Sequence, residues 1–346
     1  MKSFYKNKKI LITGHTGFKG SWLVKILNNW GSDITGYSLN PPTETNLYDT
    51  LNVELNSVIA DIRDYDTLLD TFKDTSPEIV IHMAAQPIVL EAYKNPKLTY
   101  ETNVMGTVNI CQAIKETDSV KSFVNVTTDK VYQNDDTDKK YTETDKLNGY
   151  DPYSNSKSCS DIITQSYYKS FFKETGVSTS TVRSGNVIGG GDFAKDRIIP
   201  DCIKAALKKE KIRIRNPNSI RPYQHVLEPL KIYLKIAKEQ YTKHEYSGTY
   251  NVGPLDEDSI TTLQLVKMFC KYWGENQEYI ITNKNGPHEA KYLKLSTEKI
   301  QEKFQWTPKW NIEKAIEKTV EWAKAYQQNT DTNNILDKQI EEFFKK

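Results

Sequence analysis

Short runs of β-branched residues alternate with longer stretches of helical period through the first half of the chain. Candidate strands are Lys9–Thr13, Asp33–Ser38, Ser57–Ala60, Ile79–Met83, Ser122–Thr127 and Ser178–Arg183. Helical stretches lie between them, among them Ser21–Trp30, Tyr65–Lys73, Lys97–Lys115 and Tyr153–Glu174. A strand buried on both faces is rich in β-branched residues and need not alternate polar with apolar. The order therefore predicts an α/β fold: a doubly wound parallel sheet covered by helices on both sides. After Arg183 the texture changes. Ser184–Asp196 is glycine-rich, with Gly189, Gly190 and Gly191 in succession. Beyond it the pattern predicts a helix over Pro200–Lys209, a strand over Lys211–Arg215, a strand near Tyr250-Asn251-Val252-Gly253, and helices over Thr262–Trp273 and Ile312–Tyr326. The residues from Asn329 onward are polar and charged, and predict a loosely attached helix.

A chain of 346 residues can hold one large core and a smaller lobe. Its net charge is +2, with both signs interspersed, which argues against nucleic acid as a partner. No apolar run approaches the roughly 20 residues needed to cross a bilayer. Strand Lys9–Thr13 follows the N-terminus so closely that no signal peptide is expected. Cys111, Cys159, Cys202 and Cys270 are far apart and form no CxxC pair, so buried free thiols in a reducing cytoplasm are expected, and no metal site.

Strand Lys9–Thr13 runs into Gly14-His15-Thr16-Gly17-Phe18-Lys19-Gly20 and then a helix. Glycines placed there permit a tight turn, close backbone approach to a pyrophosphate, and tight helix–strand packing. The helix N-terminus adds amide donors and the positive end of its dipole. At the end of the second strand, Gly36-Tyr37-Ser38-Leu39 carries neither an acidic ribose ligand nor an arginine cluster for a 2′-phosphate. That favours NAD, with Ser38 on the ribose and Asp61-Ile62 against the adenine. The expected division is a dinucleotide-binding domain over residues 1–183, joined by a later strand near residues 226–252. A smaller, mixed C-terminal lobe over residues 184–346 is expected to bind the substrate.

Tyr153 and Lys157 share one face at the start of a helix. A phenol with a pKa of about 10 is a poor base at neutral pH, and a neighbouring ammonium stabilises its phenolate. Alone, this spacing occurs by chance in many helices; after a glycine turn and in this strand order it is specific.

The motifs Gly14–Gly20, Ala84-Ala85-Gln86, Asn103-Val104-Met105-Gly106 and Tyr153-Ser154-Asn155-Ser156-Lys157 occur in the order of the extended short-chain dehydrogenases/reductases, which the chain resembles. Thr127-Thr128-Asp129-Lys130-Val131-Tyr132 is similar to the signature of the sugar-nucleotide 4,6-dehydratases, with the lysine that marks those acting on CDP-glucose. The likeness continues through Ser184–Phe193, Asp196–Pro200, Arg221–Pro229, Pro287-His288-Glu289-Ala290 and Trp306–Trp310, nearly the whole chain. Three positions depart from it: Leu90 stands where an arginine is usual, and Phe193 and Tyr223 where tryptophans are expected.

The resemblance implies a Rossmann-like sheet, bound NAD, a CDP-hexose substrate and a homodimer through the Lys97–Lys115 and Tyr153–Glu174 helices. It implies that Tyr153 deprotonates the sugar C4 hydroxyl, Thr128 holds that oxygen, and Lys157 tunes Tyr153 and grips the nicotinamide ribose. Lys130 takes the C5 proton and Asp129 protonates the departing C6 hydroxyl. NAD contacts fall on Gly14, Thr16, Gly17, Phe18, Lys19, Ser38, Asp61, Ile62, Ala84, Ala85, Gln86, Asn103, Thr127, Tyr153 and Lys157. Substrate contacts fall on Gln86, Asn186, Arg197, Ile198, Arg215 and Arg221, where arginine's planar fork suits a diphosphate. A 4-epimerase, or a dehydratase for another nucleotide hexose, is the neighbouring alternative, and the former has no use for Asp129-Lys130. A non-catalytic NAD sensor would not need Thr128, Tyr153 and Lys157.

Overall fold

The computed structural model describes residues 1–135, 137–274, 276–282 and 293–345. Seven parallel strands form one sheet: β1 (Lys9–Thr13), β2 (Asp33–Ser38), β3 (Asn56–Ile59), β4 (Ile79–His82), β5 (Ser122–Thr128), β6 (Ser178–Ser184) and β7 (Gly248–Val252). Their spatial order is β7-β6-β5-β4-β1-β2-β3. The order reverses direction between β4 and β1, and ligands of such sheets bind at the carboxyl ends of the strands beside that point.

The pleat sorts the strand side chains into two cores. Ile10, Ile12, Ile79, Ile81 and Val124 face one cluster, while Leu11, Val80 and Phe123 face the other. The helix α1 (Phe18–Asn29) inserts Trp22, Leu23, Val24, Ile26 and Leu27 into the first cluster, which runs on through Ile199, Leu227, Phe269 and Trp322 to Phe343. The Trp22 indole donates to the Gly190 carbonyl at 2.9 Å, tying α1 to the glycine-rich segment. The helix α2 (Tyr65–Thr75) covers the opposite face with Leu68 and Phe72.

Several elements differ from the sequence expectation. A helical turn, Lys2–Tyr5, precedes β1, and the Tyr5 hydroxyl donates to the Leu234 carbonyl at 2.5 Å. The stretch Lys97–Lys115 is not one regular helix: Pro96–Tyr100, a π turn over Glu101–Met105, and α3 (Gly106–Lys115) follow one another. Likewise α4 (Pro152–Tyr167) passes into a π turn over Tyr168–Phe172. The 16-residue helix α5 (Leu227–Thr242) was not anticipated and packs beneath the sheet. Two of the four cysteines, Cys159 and Cys270, are only partly buried. The C-terminal helix α6 (Thr332–Phe344) is firmly attached. Leu336, Ile340 and Phe343 enter the core, Asp337 pairs with the buried Lys25 at 3.2 Å, and Lys309 caps the carbonyls of Phe343 and Lys345. Phe193 and Tyr223 fill core positions, the former against Trp322 and Tyr326. No described helix is long and apolar enough to cross a membrane.

Strand β6 is buried along its whole length yet reads Ser-Thr-Ser-Thr-Val-Arg-Ser. Its hydroxyls are satisfied locally: Ser180 donates to Gln240, Ser178 pairs with His244, and Thr181 bonds Thr249.

Glu228, fully buried on α5, accepts the backbone N–H groups of Lys309 at 2.8 Å and Trp310 at 2.7 Å, tying α5 to the Lys309-Trp310 segment. Its second oxygen has no partner. Burial pushes the carboxyl from 4.5 up to about 7, against those two hydrogen bonds and the Lys231 and Lys309 charges. A carboxyl raised on folding contributes stability that is present at low pH and lost as pH rises toward its folded value. The loss therefore runs between about pH 4.5 and 7 and amounts to on the order of 3 kcal/mol. Glu228→Gln is expected to melt higher than the parent at about pH 8 and to converge with it near pH 4.5. Identical melting curves at both pH values would contradict this.

Candidate active site

At the end of β1 the chain turns sharply. Gly14 has φ 78°, and its N–H donates to the Tyr37 carbonyl at 2.9 Å. A Cβ there would lie 2.9 Å from the Ala84 nitrogen, and one on Gly20 would lie 2.1 Å from the Gly14 carbonyl oxygen. Those two glycines are fixed by backbone packing. Gly17 differs: a Cβ on it would touch only the Gly14 oxygen, at 3.4 Å. Bare backbone at the N-terminus of α1 thus faces open space, a cradle that fits a pyrophosphate.

The remaining cofactor candidates ring this turn. Thr16 bonds Ser38 at 2.9 Å and the Leu39 carbonyl at 2.8 Å, which sets the end of β2 against the glycine turn. Asp61 pairs with Arg63 at 2.7 Å, whose guanidinium holds the carboxyl below its usual range. Ile62 packs under Gly106. Phe18 lies against Gly189, and Ala84 donates its N–H to Thr13 at 3.1 Å. Lys19 points to Ser184 at 3.3 Å. Partial burial, then the Arg197 and Lys157 charges, draw its ammonium down to about 7.

Three expected contact residues have their polar atoms engaged inside the protein. Asn103 bonds both backbone groups of Gln86 and the Ser156 hydroxyl. The Gln86 side chain bonds Thr99 and the Ile88 N–H. Thr127 donates to Asp161 and the Val182 carbonyl. Asn103, Gln86 and Thr127 hold the crevice walls together.

The reactive side chains meet where β5 ends above α4. Asp151 caps α4, accepting the Ser154 N–H at 3.0 Å, and Pro152 starts its first turn. Tyr153 is then 9% exposed, in hydrogen-bond contact with Thr128. Burial pushes its phenol up to about 12 against that hydrogen bond. One turn on, Lys157 donates to the Val126 carbonyl at 2.9 Å, and burial draws it down to about 8. The Thr128 hydroxyl donates to Asp129 Oδ1 at 2.9 Å, and the Lys130 N–H reaches the same hydroxyl at 3.4 Å.

Asp129 is 1% exposed, and its Oδ2 has no partner. Burial raises its pKa despite the positive charges of Lys130, Arg221 and Lys19 and the Thr128 hydrogen bond. Desolvation outranks those cations, as expected when a carboxyl leaves water. Gly185 keeps the space open, since a Cβ on it would stand 3.1 Å from Asp129 Oδ2.

Beyond β6, Arg197 pairs with the buried Asp192 at 3.2 Å, and its charge acts on both Tyr153 and Lys19. Arg221 is buried within electrostatic reach of Asp129. Ile198 opens the next helix, and the Asn186 carbonyl accepts from Gln224. Arg215 is exposed and paired with Asp196 at 3.3 Å. Pro287–Ala290 lies outside the described residues. Sequence reasoning missed the Ser184–Tyr233 pair, 2.7 Å apart beside Lys19, and the Asp161–Arg183 ion pair. Asp161 was findable, because it continues the Tyr153, Lys157 spacing by one more helical turn.

The family described as GDP-mannose 4,6 dehydratase matches residues 11–319. The CDP-glucose 4,6-dehydratase of Salmonella typhimurium is 43% identical over 333 residues, 94% of this chain and 93% of its own length. The dTDP-glucose 4,6-dehydratase 1 of Escherichia coli is 26% identical over 91% of this chain and 92% of its own. Among solved structures, the dTDP-glucose 4,6-dehydratase of Bacillus anthracis in complex with NAD superposes with a TM-score of 0.76 at 22% identity, covering 94% of this chain and 99% of that one. The Thermotoga maritima UDP-glucose 4-epimerase reaches 0.81 at 21% identity, covering 92% and 99%. These last two speak for the fold. With a family match across most of its length and a relative at 43% identity, the chain belongs to the GDP-mannose 4,6-dehydratase family of nucleotide-sugar dehydratases.

Proposed function

We infer that this chain is an NAD-dependent hydro-lyase converting CDP-D-glucose to CDP-4-keto-6-deoxy-D-glucose and water. The observation that carries this is Asp129-Lys130 at the end of β5, beside Thr128 and Tyr153. An epimerase needs a tyrosine, a lysine and a threonine; it has no task for an acid and a second base there. The likeness to the Salmonella CDP-glucose enzyme favours CDP-glucose as the substrate.

The C5 proton of a hexose is not acidic, but beside a C4 ketone it is, and water can then leave across C5–C6. Bound NAD would be held by the bare backbone of Gly17 and would supply the acceptor for the C4 hydride, which returns to C6 in the same turnover. Tyr153 removes the C4 hydroxyl proton while Thr128 holds the oxygen. Lys157 stabilises the phenolate from one turn below. Lys130 takes the C5 proton. Asp129, kept toward its protonated form by burial, gives its proton to the leaving C6 hydroxyl. Arg197 and Arg221 bring positive charge toward this centre from the C-terminal lobe, where a diphosphate binds.

Leu98, Met105 and Ile162 leave apolar side chains exposed on the helical segments Pro96–Lys115 and α4. These faces suit a second copy of the chain, making the enzyme a homodimer. Its place is the cytoplasm, where thiols stay reduced and nucleotide sugars are made.

The test is incubation with CDP-, dTDP-, GDP- and UDP-hexoses and a trace of NAD, read by mass spectrometry. CDP-glucose is expected to lose one water over many turnovers of each NAD. Stoichiometric accumulation of reduced nicotinamide would identify a simple dehydrogenase instead, and water loss from another nucleotide hexose would move the substrate assignment.

A further inference from the structure

Below the reactive tyrosine and lysine lies a buried charge that the chemistry above does not use. Asp161 is 0% exposed and follows Lys157 by four residues on α4, so the two project from one face. Arg183 on β6, 1% exposed, grips Asp161 with two N–H groups, Nε to Oδ2 at 2.8 Å and Nη2 to Oδ1 at 3.0 Å. Gln165 at 2.6 Å, Thr127 at 3.3 Å and Thr181 at 3.3 Å complete the donors. The carboxylate is thus fixed in place from α4, β5 and β6 at once.

Lys157 needs such a neighbour. The hydrogen bond recorded for its ammonium goes to a neutral carbonyl, that of Val126. Among the described ionisable groups, the charge favouring its ammonium is that of Asp161. His82 on β4 is held neutral by burial, and Lys19 on α1 repels it. Arg183 also carries the clamp outward. Its Nη1 donates to the Tyr132 hydroxyl at 2.8 Å, and that hydroxyl donates to Asn251 at 2.5 Å. Tyr132 follows Lys130 by two residues, so one ion pair anchors the lysine of the oxidation step and the segment bearing the elimination base.

We propose that Asp161, pinned by Arg183, is a positioning residue that keeps Lys157 a cation in its buried seat. Losing that carboxylate leaves Lys157 facing only a carbonyl and repelling neighbours, and it sheds its proton at lower pH. A neutral Lys157 no longer stabilises the Tyr153 phenolate.

The proposal rests on the dehydratase reading, and its test separates the two. Asp161→Asn alone strands a buried arginine and is at risk of not folding, so the working variant is Asp161→Asn with Arg183→Gln, a neutral hydrogen-bonding pair. The first readout is NMR of the lysine ε-carbon in the NAD-free protein, with Lys157 assigned as the signal missing from Lys157→Met. Its midpoint, about 8 in the parent, is expected to fall by roughly one pH unit or more in the double variant. The second is the pH dependence of water loss from CDP-glucose: the alkaline limb is expected to move down by the same amount, and Asp161→Glu to restore it. An unchanged Lys157 midpoint, or a uniformly lower rate with an unmoved alkaline limb, would overturn the proposal. A fully active Lys157→Met would instead sink the reading of the tyrosine–lysine pair.

Discussion

Replacing Tyr153 by Phe is expected to stop the reaction before any hydride moves. The substitution removes only the hydroxyl of a ring that is 9% exposed, so the fold and melting temperature should be kept. What disappears is the phenol, in contact with Thr128, that takes the C4 proton. Thr128 holds its own proton toward Asp129 at 2.9 Å, and Lys157 is engaged with a carbonyl one turn below. Neither substitutes for a phenolate. Loss of a general base lowers rates by about 10²–10⁴-fold. In single-turnover mixing with CDP-glucose, the near-ultraviolet absorbance of reduced nicotinamide should fail to rise, and no product should form. The sign of the pH effect follows from the phenol's position. Its pKa stands near 12 in the protein alone, so the active phenolate, and with it the parent rate, grows as pH rises until Lys157 begins to lose its proton near 8. The variant should lose that dependence. A variant that still reduces its cofactor at a parental rate would remove Tyr153 from the mechanism.

Lys130→Met should fail one step later, and differently. Its backbone is fixed by the Thr128 hydroxyl and its side chain is only half-buried, so a methionine of similar length is accommodated. Oxidation at C4 does not need Lys130, and reduced nicotinamide should appear and persist. Water loss should slow by about 10²–10⁴-fold. Deuterium from the solvent should also stop entering C5, because the base that exchanges that proton is gone. The contrast between the two variants is the decisive result: one blocks both signals, the other divides them. Dehydration near the parental rate in Lys130→Met would leave the hydro-lyase assignment without its main support.

The sheet was legible because each strand of the first half is a short run, most of them β-branched, bounded by turn residues. Helix Leu227–Thr242 was not, for two reasons. Its third residue is Pro229, which reads as a breaker although a helix accepts proline in its first turn. Its buried set, from Leu227 to Gln240, also wraps around the helix and gives no clean polar face. The π turns at Glu101–Met105 and Tyr168–Phe172 depend on tertiary packing that no local pattern encodes. Within the site, Gly14, Gly17, Thr128, Tyr153 and Lys157 could be found because their spacing is their mechanism. The engagement of Asn103, Gln86 and Thr127 could not, since a side chain's hydrogen-bond partner is chosen by which strands and helices become neighbours.

The polar strand β6 has a consequence for how the chain is made. Its outer neighbour, β7, lies far downstream at Gly248–Val252. At roughly 5–20 residues per second, a ribosome leaves the outer flank of β6 unpaired for some seconds before β7 emerges. An open, apolar edge of that kind recruits other nascent chains. Ser178, Thr179, Ser180 and Thr181 make this one hydrophilic while it waits, and Gln240, His244, Ser247 and Thr249 supply hydrogen-bond partners once they arrive. Strand composition here gives the half-made protein a hydrophilic flank whose side chains are hydrogen-bonded in the finished one.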